Sequence, residues 1–120
     1  MRILAVMLAT AALAAPAAAA KRPAPAPSLG DARVAVWQLR KVAFRYFSEH
    51  ATFAGMNTAA LRRYNSVLPA RLQVPPSLRV GWADQLGFCL ELPARNAIAS
   101  LAFDARRTRY ALRSTACPKP

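Results

Sequence analysis

Few side chains in this sequence are equipped for acid–base or nucleophilic chemistry. His50 is the single histidine, and Ser48 lies two residues before it. Positions i and i+2 on a helix do not face each other, so the two make no nucleophile–base pair. A histidine near a helix end that caps carbonyls, or is simply solvated, is the expectation. The five acids are Asp31, Glu49, Asp84, Glu91 and Asp104. They are scattered, several are expected to meet arginines, and they offer no carboxylate dyad. Metal-ligand spacing, a phosphate-cradling glycine loop and a haem attachment motif are all missing from the sequence. The sequence therefore predicts a non-enzyme with no catalytic residues, no cofactor and no metal.

The remaining reactive residues are Cys89 and Cys117, the only two cysteines. Their compartment is read from the first twenty residues. Arg2 supplies a positive start, Ile3 to Ala15 is an uncharged apolar run, and Pro16 and a string of alanines follow. That pattern reads as a cleavable signal peptide, residues 1–20, with the mature chain starting at Lys21. The apolar run is too short to span a bilayer comfortably, so no stable membrane anchor is expected after cleavage. The expected location is the periplasm or the exterior. In an oxidising compartment a Cys89–Cys117 disulfide is the default pairing, with free thiols or intermolecular pairing as the alternatives. A domain this short gains from such a staple, because it buries only about 60–65% of its unfolded surface.

Charge is the other chemical resource. Seventeen Lys and Arg face five acids, giving a formal net charge of +12. Such a chain is drawn to polyanions: nucleic acid, anionic glycan or acidic lipid headgroups. The basic residues are spread along the whole chain, and a GC-rich coding sequence produces the same arginine excess with no binding role. Arg106, Arg107, Arg109 and Arg113 cluster around the last apolar alternation. By parity Arg107, Arg109 and Arg113 share an outward face and Tyr110 points inward. The competing reading is an edge strand whose charges discourage edge-to-edge aggregation.

The elements that must hold these residues are legible from periodicity. Lys21 to Pro27 reads KRPAPAP, an extended tether that we assign to residues 21–29. A helix opens at Gly30 and Asp31, with Asp31 as cap, and runs to about His50. Ala32, Ala35, Val36, Leu39, Val42, Ala43, Tyr46 and Phe47 form its apolar stripe. Trp37 and Phe44 widen the buried face on one flank or mark a partner surface. Gly55 breaks the pattern, and Asn57 and Thr58 introduce a short capped helix or single turn. Beyond Pro75-Pro76 the period becomes two. Val80/Trp82, Phe88/Leu90/Leu92, Ala99/Leu101/Phe103 and Tyr110/Leu112 predict four short strands with the named residues on the buried face. The fold class is α+β, one long N-terminal helix on a four-stranded antiparallel sheet, as a single domain over residues 30–120.

Three stretches carry a family resemblance. They are the helix end Val42-Ala43-Phe44-Arg45-Tyr46-Phe47, the exit Ala51-Thr52-Phe53-Ala54-Gly55-Met56 followed by Leu61, and Gly87-Phe88-Cys89-Leu90-Glu91 with the late Cys117. Over Val36 to Cys117 the chain resembles the globular domain of type IV pilins and type II secretion pseudopilins. The resemblance implies a short αβ loop, a four-strand meander and a disulfide-closed C-terminal region. The chain departs from that family at its start. It has no prepilin leader ending in glycine, no unbroken hydrophobic helix and no glutamate before Asp31, so no assembly residue carries over. In a pilin-like fold Arg62 and Arg63 come near the strand arginines, so the candidate anion-binding set is Arg62, Arg63, Arg106, Arg107, Arg109 and Arg113. Tyr64 is a candidate for stacking beside them. The expected role is a secreted structural or interaction module. Its partner is an unknown protein, with components of a pilus or secretion apparatus as the leading class. The alternative is a secreted basic protein that binds polyanions weakly.

Overall fold

A computed structural model describes residues 25–120; the expected signal peptide and the first residues of the tether lie outside the described residues. Helix α1 spans Leu29–His50. It starts ahead of the expected Gly30–Asp31 opening, and Ser28, not Asp31, is the cap: its hydroxyl accepts from the Asp31 amide at 3.1 Å. Asp31 instead complements the positive end of the helix from within its first turn. Ala32, Val36, Leu39, Val42, Ala43 and Tyr46 make the buried stripe, as the 3.6 periodicity requires.

The chain then turns through Phe53 and Met56, both buried, and through Gly55, whose φ of 86° suits a residue without Cβ. Helix α2, Thr58–Arg62, is capped by Asn57, whose Oδ1 accepts from the Ala60 amide at 2.8 Å. Single 3-10 turns at Arg63–Ser66 and Ala70–Leu72 lead to the sheet and place Leu72 in the core. The strands are β1 (Arg79–Ala83), β2 (Gly87–Ala94), β3 (Ala97–Asp104) and β4 (Arg109–Arg113). They pair antiparallel in sequence order, β1-β2-β3-β4, so the sheet is a meander.

Helix α1 lies across one face of this sheet, mainly over β3 and β2. Phe88, Leu90 and Leu92 of β2 and Ala99, Leu101 and Phe103 of β3 are buried beneath it. Each buried leucine or phenylalanine among them contributes about 1.5–3 kcal/mol. Phe44 widens the buried face, as its flank position suggested, with ring centroids 5.1–5.9 Å from Phe53, Phe88 and Phe103. Phe53 comes from the connecting loop and still reaches the centre, with its ring 4.7 Å from Phe47 and 4.8 Å from Phe88.

One expectation of parity fails. Val80 pairs with Leu90, but the register slips after it, and Trp82 pairs with Cys89. This bulge carries an extra residue at Gly81 and turns Trp82 away from the helix onto the outer face of the sheet. Ala83, opposite Phe88, takes the inward position instead.

Candidate anion-binding site

The outer face is organised in cross-strand rows. Trp82, Cys89, Ala102 and Ala111 form the central row, three small residues beside one large ring. Gly87, Asp104 and Arg109 lie on one side of it, and Arg79, Glu91, Ser100 and Arg113 on the other. Cys89 bonds to Cys117, 28 residues later in the chain, so the disulfide expected from the cysteine count is present. It draws the C-terminal tail back across the sheet. The tail is also held by hydrogen bonds: the Cys117 amide donates to Glu91 Oε2 at 2.6 Å, and Trp82 Nε1 donates to the Pro118 carbonyl at 2.8 Å. Glu91 is held in turn by Arg79, whose Nε lies 3.6 Å from Oε1.

The tail leaves a cleft of about 310 Å³ on the β3–β4 side. Ala102 and Ala111 contribute to its floor. Trp82 and Pro118 to Pro120 line one side, and Asp104, Arg107 and Arg109 the other. Asp104 works as the organiser of the β3–β4 turn. Its Oδ1 accepts from the Arg106 amide at 2.9 Å, and its carboxylate lies 3.9 Å from Arg106 and 4.0 Å from Arg107. These side chains are well exposed, so the pairs are worth only about 0–1 kcal/mol each. Arg109, Arg113 and Lys119 have no carboxylate within salt-bridge distance among the described residues. Within the neighbouring row Ser100 is fully buried, and its hydroxyl makes no hydrogen bond.

The strand arginines are therefore brought together in part. Arg109 and Arg113 sit on the outer face of β4, as parity predicted. Arg106 and Arg107 belong to the turn before β4, since the strand starts at Arg109. Tyr110 is on the opposite, helix-facing side, against Phe103 at 5.0 Å and Trp37 at 5.1 Å. There the Arg40 guanidinium stacks 4.0 Å over the Trp37 ring, so the helix flank adds a cation beside β4 on its other side.

Arg62 and Arg63 lie on a different part of the surface, at the end of α2. Arg63 lines a separate cavity of about 420 Å³ with Tyr46, Glu49, His50 and Tyr64. Tyr64 donates to Glu49 Oε1 at 2.9 Å, and Arg45 Nε lies 3.8 Å from Glu49 Oε2. Partial burial, followed by the bond to Glu49 and the charge on that carboxylate, pushes the Tyr64 phenol above its ordinary value. The phenol is thus committed to Glu49 rather than offered to a ligand. His50 stacks on Tyr46 at 3.9 Å, with Nδ1 2.9 Å from the Tyr46 carbonyl. Because a carbonyl only accepts, Nδ1 carries the proton. This is the carbonyl-capping role expected of a helix-end histidine. Glu49 is the one acid in the cavity lining, so no carboxylate pair forms there.

Sequence reasoning missed Trp82 and Lys119 as neighbours of Arg109. The available signal was a glycine inside a strand pattern, Gly81, which marks a bulge or a close backbone approach. Here it marks both, since a Cβ on Gly81 would lie 2.7 Å from Cys117 Sγ. Among the described residues no helix is long and apolar enough to cross a membrane, and no three His, Cys, Asp or Glu side chains gather as a metal site. No protein-family model, no curated protein and no solved structure matches this chain.

Proposed function

We propose that the chain is an exported, non-enzymatic interaction module of pilin-like architecture, accessory to a pilus or a type II secretion apparatus. The observation that carries the reading is the order of its parts. One helix lies on a four-strand meander, a loop of short helical turns joins them, and a disulfide fastens the C-terminal region. The segment from Ala51 to Met56, one of the three stretches that carry the resemblance, is the turn that brings Phe53 and Met56 into the core. Such a module would act beside a filament, through the exposed side of its helix and the outer face of its sheet. Photo-cross-linking in the intact cell envelope from Val34, which is 62% exposed, tests this together with N-terminal sequencing of the exported chain. Adducts with pilin, pseudopilin or secretion subunits and a start near Lys21 are expected. A chain that starts at Met1, or adducts confined to unrelated envelope proteins, overturns the reading.

A second reading, polyanion binding, is favoured by a specific observation. The acids are largely engaged within the fold, with Glu49, Glu91 and Asp104 each paired to arginine and Asp84 accepting from the Leu86 amide. Arg109, Arg113 and Lys119 are left to act on a partner from one face of the sheet. Retention on immobilised heparin and on duplex DNA at several salt concentrations tests this. Binding that weakens as salt rises is expected, because each contacted anionic group releases counterions. Absence of retention at low salt overturns it.

A further inference from the structure

We infer that the cleft between Trp82, the C-terminal tail and Arg109 is a binding site for one acidic sugar unit of an anionic glycan. The inference rests on the polyanion reading and names its ligand. Three features of the cleft converge on this chemistry. First, Trp82 is only partly buried although it belongs to a sheet. The bulge turns it outward, and its Nε1 bond to Pro118 fixes the ring in place. A fixed indole is a platform for the C–H face of a sugar ring, and alanines at 102 and 111 leave the adjoining floor open. Second, Arg107, Arg109 and Lys119 line the same cleft, so a sulfate or uronate carried by that ring meets cations. Arginine binds such planar or tetrahedral oxyanions through paired N–H donors.

The third feature separates a glycan from a nucleic acid strand. Asp104 also lines the cleft, with its side chain 37% exposed. A carboxylate has room for about four hydrogen bonds, and Asp104 spends one on the Arg106 amide beside two long ion pairs. Its remaining acceptor capacity suits the hydroxyls of a sugar. A phosphodiester brings only acceptors and negative charge, which a carboxylate repels. The volume of about 310 Å³ is at the lower end for small-molecule sites, which fits one ring and not an extended segment.

The test is an NMR titration of the oxidised full chain, following the Trp82 indole Nε1–H resonance, identified by its loss in Trp82→Phe. The probes are a heparin-derived tetrasaccharide, trigalacturonate and an oligothymidylate of matched charge. The acidic saccharides should move the Trp82 resonance, and the oligothymidylate should leave it in place. Ala102→Leu, which fills the floor and removes no charge, should weaken the saccharides about fivefold or more while retention on heparin resin persists. Arg109→Gln should weaken both. If the wild-type chain is retained on heparin but the Trp82 signal stays still and Ala102→Leu is silent, the cleft assignment is wrong and the polyanion reading stands. If nothing is retained at low salt, both fall. An oligothymidylate that shifts Trp82 as strongly as the saccharides overturns the glycan in favour of single-stranded nucleic acid.

Discussion

The contact between Gly81 and the disulfide allows a prediction in which the sign of a mutation depends on a distant covalent bond. A Cβ on Gly81 would lie 2.7 Å from Cys117 Sγ and 2.8 Å from Cys117 Cβ, far inside van der Waals contact. The backbone at Gly81 is not in the positive-φ region, so alanine is conformationally acceptable there. Gly81→Ala therefore sets two effects against each other. Replacing a strand glycine by alanine gains about 0.5–1 kcal/mol from reduced chain entropy. Forcing a methyl group against the disulfide costs about 1–3 kcal/mol, because the tail must shift while Cys89 is held at the centre of the sheet. In the oxidised protein the clash wins, and the midpoint of urea unfolding should fall by about 1 M. In a Cys89→Ala/Cys117→Ala background the tail is free to retreat, and the same substitution should be neutral or stabilising. That background itself loses about 3.5 kcal/mol by the loop-entropy account of a 28-residue closure. A domain of about 90 residues, with about 5–13 kcal/mol in hand, retains a folded state to measure. The assay is a double-mutant cycle by urea denaturation of the four proteins; the entropy gain is common to both backgrounds and cancels, so the expected coupling is the clash itself, about 1–3 kcal/mol. Equal destabilisation by Gly81→Ala in both backgrounds would show that the strand, and not the tail above it, sets the cost.

Two further outcomes follow from single side chains. Ser100 buries a hydroxyl with no hydrogen-bond partner, so Ser100→Ala should raise stability by about 1 kcal/mol with an unchanged urea m-value; a loss of that size would refute the assignment of Ser100 as unsatisfied. The Tyr64 phenol is raised above its ordinary value in the folded chain, so its neutral form is the one the fold favours. Its contribution is fully present below about pH 10 and is lost as the pH rises through the higher folded value. The stability difference between wild type and Tyr64→Phe should be flat from pH 7 to 9.5 and should shift against the wild type at pH 11; a difference that stays flat to pH 11 contradicts this.

Much of the fold was legible because its determinants are local. The helix followed from apolar spacing between Ala32 and Phe47, and three of the four strands kept their parity because no bulge interrupts Phe88–Leu92, Ala99–Phe103 or Tyr110–Leu112. The disulfide followed from there being only two cysteines. What escaped depends on contacts distant in the chain. Period two assumes an unbroken ladder, so a one-residue slip at Gly81 was enough to put Trp82 on the wrong side. Ser28 was passed over as a cap because Asp31, three residues on, is an equally good cap by residue type. Phe53 reads as a loop residue, and only the closure of the loop over Phe44 and Phe88 makes it core. For the candidate site, Arg109 and Arg113 were placed by alternation. That Lys119 and Trp82 join Arg109 depends on the tail crossing the sheet, which leaves no periodic trace. Arg63 stands apart, lining a cavity with Glu49 and Tyr64, because the short helices carry it to the C-terminal end of α1.

The tail also has a consequence for the order of biosynthesis. Each strand of the meander pairs only with its neighbours in the chain, so the sheet can assemble as successive segments emerge, with little loop closure to wait for. The tail is the exception: Cys117, near the end of the chain, must come back to a cysteine buried in the middle of it. A chain in which Cys117 is never oxidised lacks the covalent anchor of the wall beside Trp82 and holds the tail by hydrogen bonds alone. The wall beside Trp82 is thus fastened last, and its covalent anchor records that Cys117 has met an oxidant.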